Sequence, residues 1–229
     1  MKVTYLEHSG FAAEYKEYVL IFDWYRGSLP EFDQQKKIYV FASHSHYDHF
    51  NKKIFGWSEQ YPDVRYILSA DIAGKEQSER TVYVTANKKY DFDGIKVQTL
   101  HSTDEGVAFI VYMEDKVIYH AGDLNWWHWE EETESYNEQM RQDYQREIDK
   151  LKDIVIDIAF VPLDPRQENQ YAWGMDYFMK HTHTKYVFPM HMWGDYEVYD
   201  RLMENPEAEP YKERVIEVKE PGQVFEVNV

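Results

Sequence analysis

Ile38-Tyr39-Val40-Phe41-Ala42-Ser43-His44-Ser45-His46-Tyr47-Asp48-His49 is the stretch that decides how the chain is read. An apolar run gives way at once to three imidazoles and a carboxylate within six positions, the pattern of a buried strand that ends in a ligand loop. Side chains alternate along extended chain, so His44 and His46 point the same way, while Asp48 and His49 follow where the chain leaves the sheet. Imidazole and carboxylate suit zinc and its first-row neighbours. The bland alternative is a polar surface loop that happens to be rich in histidine, but such loops do not usually carry three imidazoles and an aspartate on one turn.

Around that loop, composition sets bounds. A chain of 229 residues is long enough for one sizeable core, and no linker divides it, so a single domain over residues 1–229 is expected. There is no cysteine, which excludes a disulfide framework and thiolate ligands and leaves nitrogen and oxygen donors for any metal. That also fits a reducing, cytoplasmic setting. Met1-Lys2-Val3-Thr4-Tyr5 enters a strand pattern directly, and no apolar run approaches the roughly 20 residues that span a bilayer, so an unprocessed soluble protein is expected. With 42 acidic against 25 basic side chains the formal charge is -17, a field that repels polyphosphate backbones and anionic membranes. Neither nucleic acid nor membrane is therefore expected as a partner. Twenty tyrosines and seven tryptophans exceed what a core of this size requires, so some should line a cleft.

In chain order, Val3 to Leu6, Phe11 to Tyr15 and Val19 to Asp23 read as a meander of short strands. Beyond the histidine loop, Lys52 to Gln60 reads as a helix ended by Pro62. Strands follow at Tyr66 to Leu68, Val82 to Val84, Ile95 to Leu100, Val107 to Tyr112 and Lys116 to His120. Apolar spacings of three and four predict an amphipathic helix from Trp129 to Leu151, an outer covering helix. The remainder reads as a strand at Ile154 to Val161, a Pro-shaped loop with Asp164 and Arg166, a helix at Trp173 to His181, a strand at Lys185 to Met190, a helix near Asp195 to Met203, and strands at Val215 to Val218 and Val224 to Val227. Pattern alone gives mixed α and β.

His-x-His-x-Asp-His after a buried strand resembles the signature of the metallo-β-lactamase superfamily of metal-dependent hydrolases. Candidates for its further ligands come in the same order: His101 in Leu100-His101-Ser102, Asp123 in His120-Ala121-Gly122-Asp123, and His191 in Phe188-Pro189-Met190-His191. The resemblance runs from Tyr5 to Pro221-Gly222 and looks closest to the small single-domain hydrolases that include ascorbate-6-phosphate lactonase-like proteins. It implies a four-layer αββα sandwich, with ligands on loops meeting at one edge between the sheets. It further implies that His44, His46 and His101 hold one metal, that Asp48, His49 and His191 hold a second, and that Asp123 bridges them. Two zinc ions are the expectation, with manganese or iron as alternatives. Asp48 is also the candidate for passing a proton to the leaving group. An acidic residue at the place of Asp23 commonly braces the metal loop without binding metal. His8 resembles a turn that some relatives bring close to the site, though a histidine satisfying backbone groups in a tight turn is the other reading. A dinuclear iron redox branch has glutamate at the position of His46, so histidine there argues for hydrolysis. His120, His128, His181 and His183 compete for the downstream roles, since lone histidines at strand ends are often core or cap residues.

The expected activity is hydrolysis of a small molecule, such as a lactone, cyclic amide, ester or phosphodiester, by a metal-bound hydroxide. The alternatives are a nuclease, which would want a basic patch the sequence does not display, and a non-catalytic metal-binding regulatory protein, which would be marked by a lost ligand. A homo-oligomer is compatible with either. Trp126, Trp127 and His128 come three to five places after the proposed bridge and are expected to wall the substrate cleft with Trp173, Trp193 and Arg166. The other reading makes them the packed foot of the following helix.

Overall fold

The computed structural model describes residues 1–74 and 78–229. Three antiparallel strands, β1 (Lys2–Glu7), β2 (Gly10–Tyr15) and β3 (Tyr18–Phe22), are extended in parallel by β4 (Lys37–Ala42), β5 (Arg65–Ser69) and β6 (Thr81–Val84). A second meander, β7 (Lys89–Phe92), β8 (Ile95–His101), β9 (Val107–Met113) and β10 (Lys116–His120), continues in parallel into β11 (Val155–Pro162) and β12 (His183–Met190). The last strand, β13 (Val224–Glu226), pairs back onto β1. The sheet orders are thus β13-β1-β2-β3-β4-β5-β6 and β12-β11-β10-β9-β8-β7, each with the same plan of a meander followed by parallel strands.

Strands buried on both faces read as unbroken apolar runs, and alternate residues here serve two different cores. Tyr39 and Phe41 of β4 join the inter-sheet core, while Ile38, Val40 and Ala42 of the same strand join a second core on the outer face. Between the sheets Phe11 stacks on Phe160 at 4.3 Å and Phe41 meets Phe109 at 5.1 Å. On the outer face of the first sheet, the Lys52–Glu59 segment supplies Ile54 and receives the Tyr66 hydroxyl on the Ile54 carbonyl at 3.0 Å. The second sheet is covered by α1 (Glu134–Ile148) and α2 (Trp173–His181), whose Phe178 stacks on Tyr119 at 5.0 Å; a short α3 (Val198–Glu204) follows β12. These are the four layers of an αββα sandwich. No helix of the described residues is long and apolar enough to cross a membrane.

Four readings of local structure change. Lys52–Glu59 is a 3-10 helix rather than an α-helix; Gly56 sits in it, and Asn51 caps its start. α1 begins at Glu134, not Trp129, because the Thr133 side chain caps the helix by accepting from the Tyr136 amide. Trp129 stays outside the helix, its backbone N–H and C=O both satisfied by the Asn137 side chain at 3.1 and 2.8 Å. Val215 to Val218 makes only an isolated bridge, Val187 to Val215, and Lys89–Phe92 is an additional strand.

Candidate metal centre

The histidine loop is fixed from behind by Asp23, which is fully buried at the end of β3. Its carboxylate accepts from the Ser43 amide at 2.7 Å and the Ser43 hydroxyl at 2.6 Å, and meets His49 Nδ1 at 2.7 Å. Two glycines let the chain close over the same loop: a Cβ on Gly106 would stand 1.9 Å from the Ser43 carbonyl oxygen, and one on Gly122 2.6 Å from Ser43 Cβ. Engaging His49 through Nδ1 turns its Nε2 forward, and the same logic applies at His191, whose Nδ1 meets Asp164 at 2.8 Å. Carboxylates behind both imidazoles set ring orientation and raise donor strength.

Two groups of metal-type donors result, each with its ligand atoms within 4.8 Å of one another: His44, His46 and Asp123, and His8, Asp48, His49 and His191. Asp123 faces both. Its Oδ2 lies 3.4 Å from His44 Nε2, and its Oδ1 lies 3.2 Å from His49 Nε2 and 3.5 Å from His191 Nε2. His8 Nε2, His49 Nε2 and Asp123 Oδ1 are all buried with no hydrogen-bond partner among the described residues. Orphaned buried polar atoms are costly, and three of them within the two donor groups fit cations that would satisfy them. Titration agrees: burial pushes the Asp123 carboxyl up to about 7, with His191 only partly opposing it, so the charged form wants a cation beside it. Burial, reinforced by neighbouring imidazoles, lowers His44 to about 2 and holds His8 and His49 well below the ordinary histidine range, which keeps them in the neutral, ligating form.

His101, which the resemblance implies as a ligand beside His44 and His46, stands outside both groups. β8 continues through His101, paired with Val107, so the alternation that carries Leu100 into the core turns the His101 ring outward. That ring is exposed, with Nδ1 at 2.6 Å from the Ser102 carbonyl, and the His101 amide donates to Glu147 of α1. The structure also brings His8 into the other group, beside Asp48, His49 and His191: it is 4% exposed, packs on His191 at 4.2 Å between ring centres, and lies 3.5 Å from Asp48. Asp164 was the residue least visible in sequence; its only signal is the Asp-Pro-Arg turn after an apolar strand.

A cleft of about 460 Å³ opens over these donors, bordered by His46, Asp48, Asp123 and His191 on its floor and by Trp127, Trp129, Tyr136, Met140, Arg166 and Trp193 on its walls. Tyr136 and Met140 make α1 more than a covering helix. The run after Asp123 forms neither helix nor strand, and its aromatic side chains divide between two sides. Trp127 and Trp129 stack at 5.8 Å on the cleft side, and the Trp127 indole donates to the Asp123 carbonyl at 3.0 Å. Trp126 and His128 turn the other way and pack on Trp173, at 5.3 and 4.9 Å, lining a separate pocket. Trp126, His128 and Trp173 are thus placed away from the cleft.

The family model for the β-lactamase superfamily domain matches residues 2–139, more than half of the chain and including the histidine loop and Asp123. The chain belongs to the metallo-β-lactamase superfamily. Among its relatives in this superfamily is a UPF0173 metal-dependent hydrolase of Desulforamulus reducens, 29% identical over 141 residues, which are 54% of this chain and 62% of that protein. Among solved structures, the metallo hydrolase Igni18 of Ignicoccus hospitalis shares 17% identity over 99% of both chains with a TM-score of 0.66. The metallo-β-lactamase fold protein YhfI of Bacillus subtilis shares 14% over 98% of both, with a TM-score of 0.65. At such identities the two structures are alike in fold.

Proposed function

We propose that the protein is a metal-dependent hydrolase of small molecules that binds two metal ions, zinc foremost. The observation that carries this reading is the pair of donor groups behind a cleft that Asp48, Asp123 and His191 border, in which the buried His8 Nε2, His49 Nε2 and Asp123 Oδ1 have no hydrogen-bond partner among the described residues. His44, His46 and Asp123 would hold one ion, and Asp48, His49 and His191, joined by His8, the other. With one carboxylate oxygen turned to each group, Asp123 would serve both ions. Metals held by imidazole and carboxylate polarise a carbonyl or phosphoryl oxygen and make water nucleophilic near neutral pH. The chain's own residues do the rest. Asp23 and Asp164 orient His49 and His191, Trp127 and Trp129 exclude water from one side of the cleft, and Asp48, at the cleft floor beside His8, is placed to pass a proton to the departing group.

The substrate is a lactone, cyclic amide, ester or phosphodiester small enough for the cleft. A nucleic acid is disfavoured, because among the residues lining the cleft Arg166 is the one lysine or arginine and the chain carries a net -17. The test is metal analysis joined to a hydrolysis panel of aryl esters, lactones and phosphodiesters. Close to two ions per chain and turnover that disappears in His49→Ala are expected. Protein that takes up no metal after reconstitution refutes the reading.

A further inference from the structure

Arg166 is the single permanently cationic side chain on the cleft wall, and its setting is built rather than incidental. Its guanidinium carbon stands 4.5 Å from the Trp193 ring and 5.9 Å from the Trp129 ring, two flat faces that hold it by cation–π attraction. Asp164, fully buried, takes Nε at 3.0 Å and Nη2 at 2.5 Å, and through its other contact holds His191. A guanidinium has five N–H donors in a fixed fork. Asp164 occupies two of them. Both protons on Nη1 and one on Nη2 remain, with no partner among the described residues, on a side chain 48% exposed at the cleft. An arginine that served only to neutralise Asp164 would not need a half-exposed end between two indoles. The other charged groups lining the cleft are Asp48 and Asp123, which face the metal donors, and Asp104 on the rim, 4.0 Å from His46.

We propose that the cleft selects substrates that combine a carboxylate or phosphate with a flat apolar body, the oxyanion held by the free Nη1 and Nη2 protons of Arg166 and the body laid against Trp127, Trp129 and Trp193. This rests on the hydrolase reading above. The planar fork is already immobilised, so little ordering cost remains when an oxyanion docks. One carboxylate, Asp164, separates this anchor from His191, so a substrate held there presents its scissile bond to the metal donors.

Two measurements test the anchor, one independent of turnover. Equilibrium binding of 3-phenylpropionate, 3-phenylpropionamide and 3-phenylpropyl phosphate to metal-loaded protein is read by titration calorimetry. Wild type is expected to bind an anionic ligand at least about tenfold more tightly than the amide, the size of one charge-assisted pair. Arg166→Gln should erase that preference at unchanged metal content, whereas an anion bound directly to metal would keep it. The tighter of the two anions identifies the oxyanion. Should Arg166→Gln fail to fold or to keep its metal, Arg166→Lys, which keeps the charge against Asp164 but loses the fork, should cut the preference several-fold. A preference absent in wild type, or unchanged in a folded, metal-replete variant, overturns the proposal. In the second measurement, phenyl hydrogen glutarate should be favoured over phenyl butyrate through KM, with the advantage lost in Arg166→Gln. Binding preference without turnover of any substrate would refute the hydrolase reading and leave the anchor standing.

Discussion

Replacing His8 and replacing His101 separate the ligand set seen in the structure from the one the motif implies. His8 is 4% exposed, its Nε2 has no hydrogen-bond partner among the described residues and lies 3.5 Å from Asp48, and its ring is wedged between His191 and Trp193 at 4.2 and 4.5 Å. Removing a partner behind a metal ligand already weakens binding by about 10–100-fold, so deleting a donor of the group should cost at least that, or about 1.4–2.7 kcal/mol of metal binding. His101 is exposed and its ring Nδ1 meets the carbonyl of the next residue, so His101→Ala should change stability by no more than about 0.5 kcal/mol and leave metal content intact. His8 also lies at φ 53°, where alanine is no more at ease than histidine but asparagine is. His8→Asn therefore keeps the turn while removing the imidazole, and isolates the donor from the backbone. The assay is metal content by mass spectrometry after equilibration against a chelator of known affinity, with melting curves alongside. If His101→Ala sheds one ion and His8→Ala and His8→Asn retain both, the arrangement of donors argued here is wrong.

Other outcomes follow from single contacts. Burial alone would raise the Asp164 carboxyl, yet hydrogen bonds from His191 and Arg166 outweigh it and hold the group at about 2 against an ordinary 3.8. A depressed folded value gives stability that is present above pH 3.8 and fades as pH falls toward 2, so in metal-free protein Asp164→Asn should remove about 2 kcal/mol and flatten the acid limb of a melting-temperature profile. Gly106→Ala places a Cβ 1.9 Å from the Ser43 carbonyl oxygen at φ +70°, and should cost more than about 2 kcal/mol and lower metal affinity by displacing the loop, measured by chemical denaturation and chelator competition. Trp127→Ala should raise KM for any accepted aryl ester, while Trp126→Ala, on the far side of the same run, should leave KM unchanged; equal effects would refute the division between cleft and second pocket.

The strand-and-loop frame was open to sequence reading because it rests on short-range pattern. β3 and β4 are buried on both faces, so Tyr18 to Phe22 and Lys37 to Ala42 show as apolar runs, and the loop that follows carries its donors consecutively. Boundaries slipped where a side chain took over from pattern. The apolar spacing of α1 begins at Tyr136, but Thr133 and Asn137 keep Trp129 outside the helix, and this in turn decides which indoles face the cleft. The direction of the His101 ring was not legible, because its sequence position says that it ends a strand and nothing about whether the strand stops one residue earlier. Had β8 ended at Leu100, the ring would have been free to turn; pairing His101 with Val107 fixes it outward.

The deeper obstacle is backbone geometry that ordinary residues seldom adopt. His8, Asp23, His191 and Trp193 all lie in the left-handed region, at φ 53°, 43°, 64° and 55°, and all four meet at the metal centre. Each such residue stores on the order of 1–3 kcal/mol and persists only where its surroundings over-determine it. Here they do: the Asp23 amide donates to the Phe41 carbonyl at 2.9 Å, the His191 amide donates to the His8 carbonyl at 3.2 Å, and Trp193 is held between the His8 ring and the Arg166 guanidinium. A glycine would have marked those turns in the sequence, whereas a histidine, an aspartate and a tryptophan conceal them. The strain also has a use. A left-handed turn at His8 reverses the chain between β1 and β2 and brings the imidazole against His49 and His191, an approach that a residue confined to ordinary backbone angles would not make.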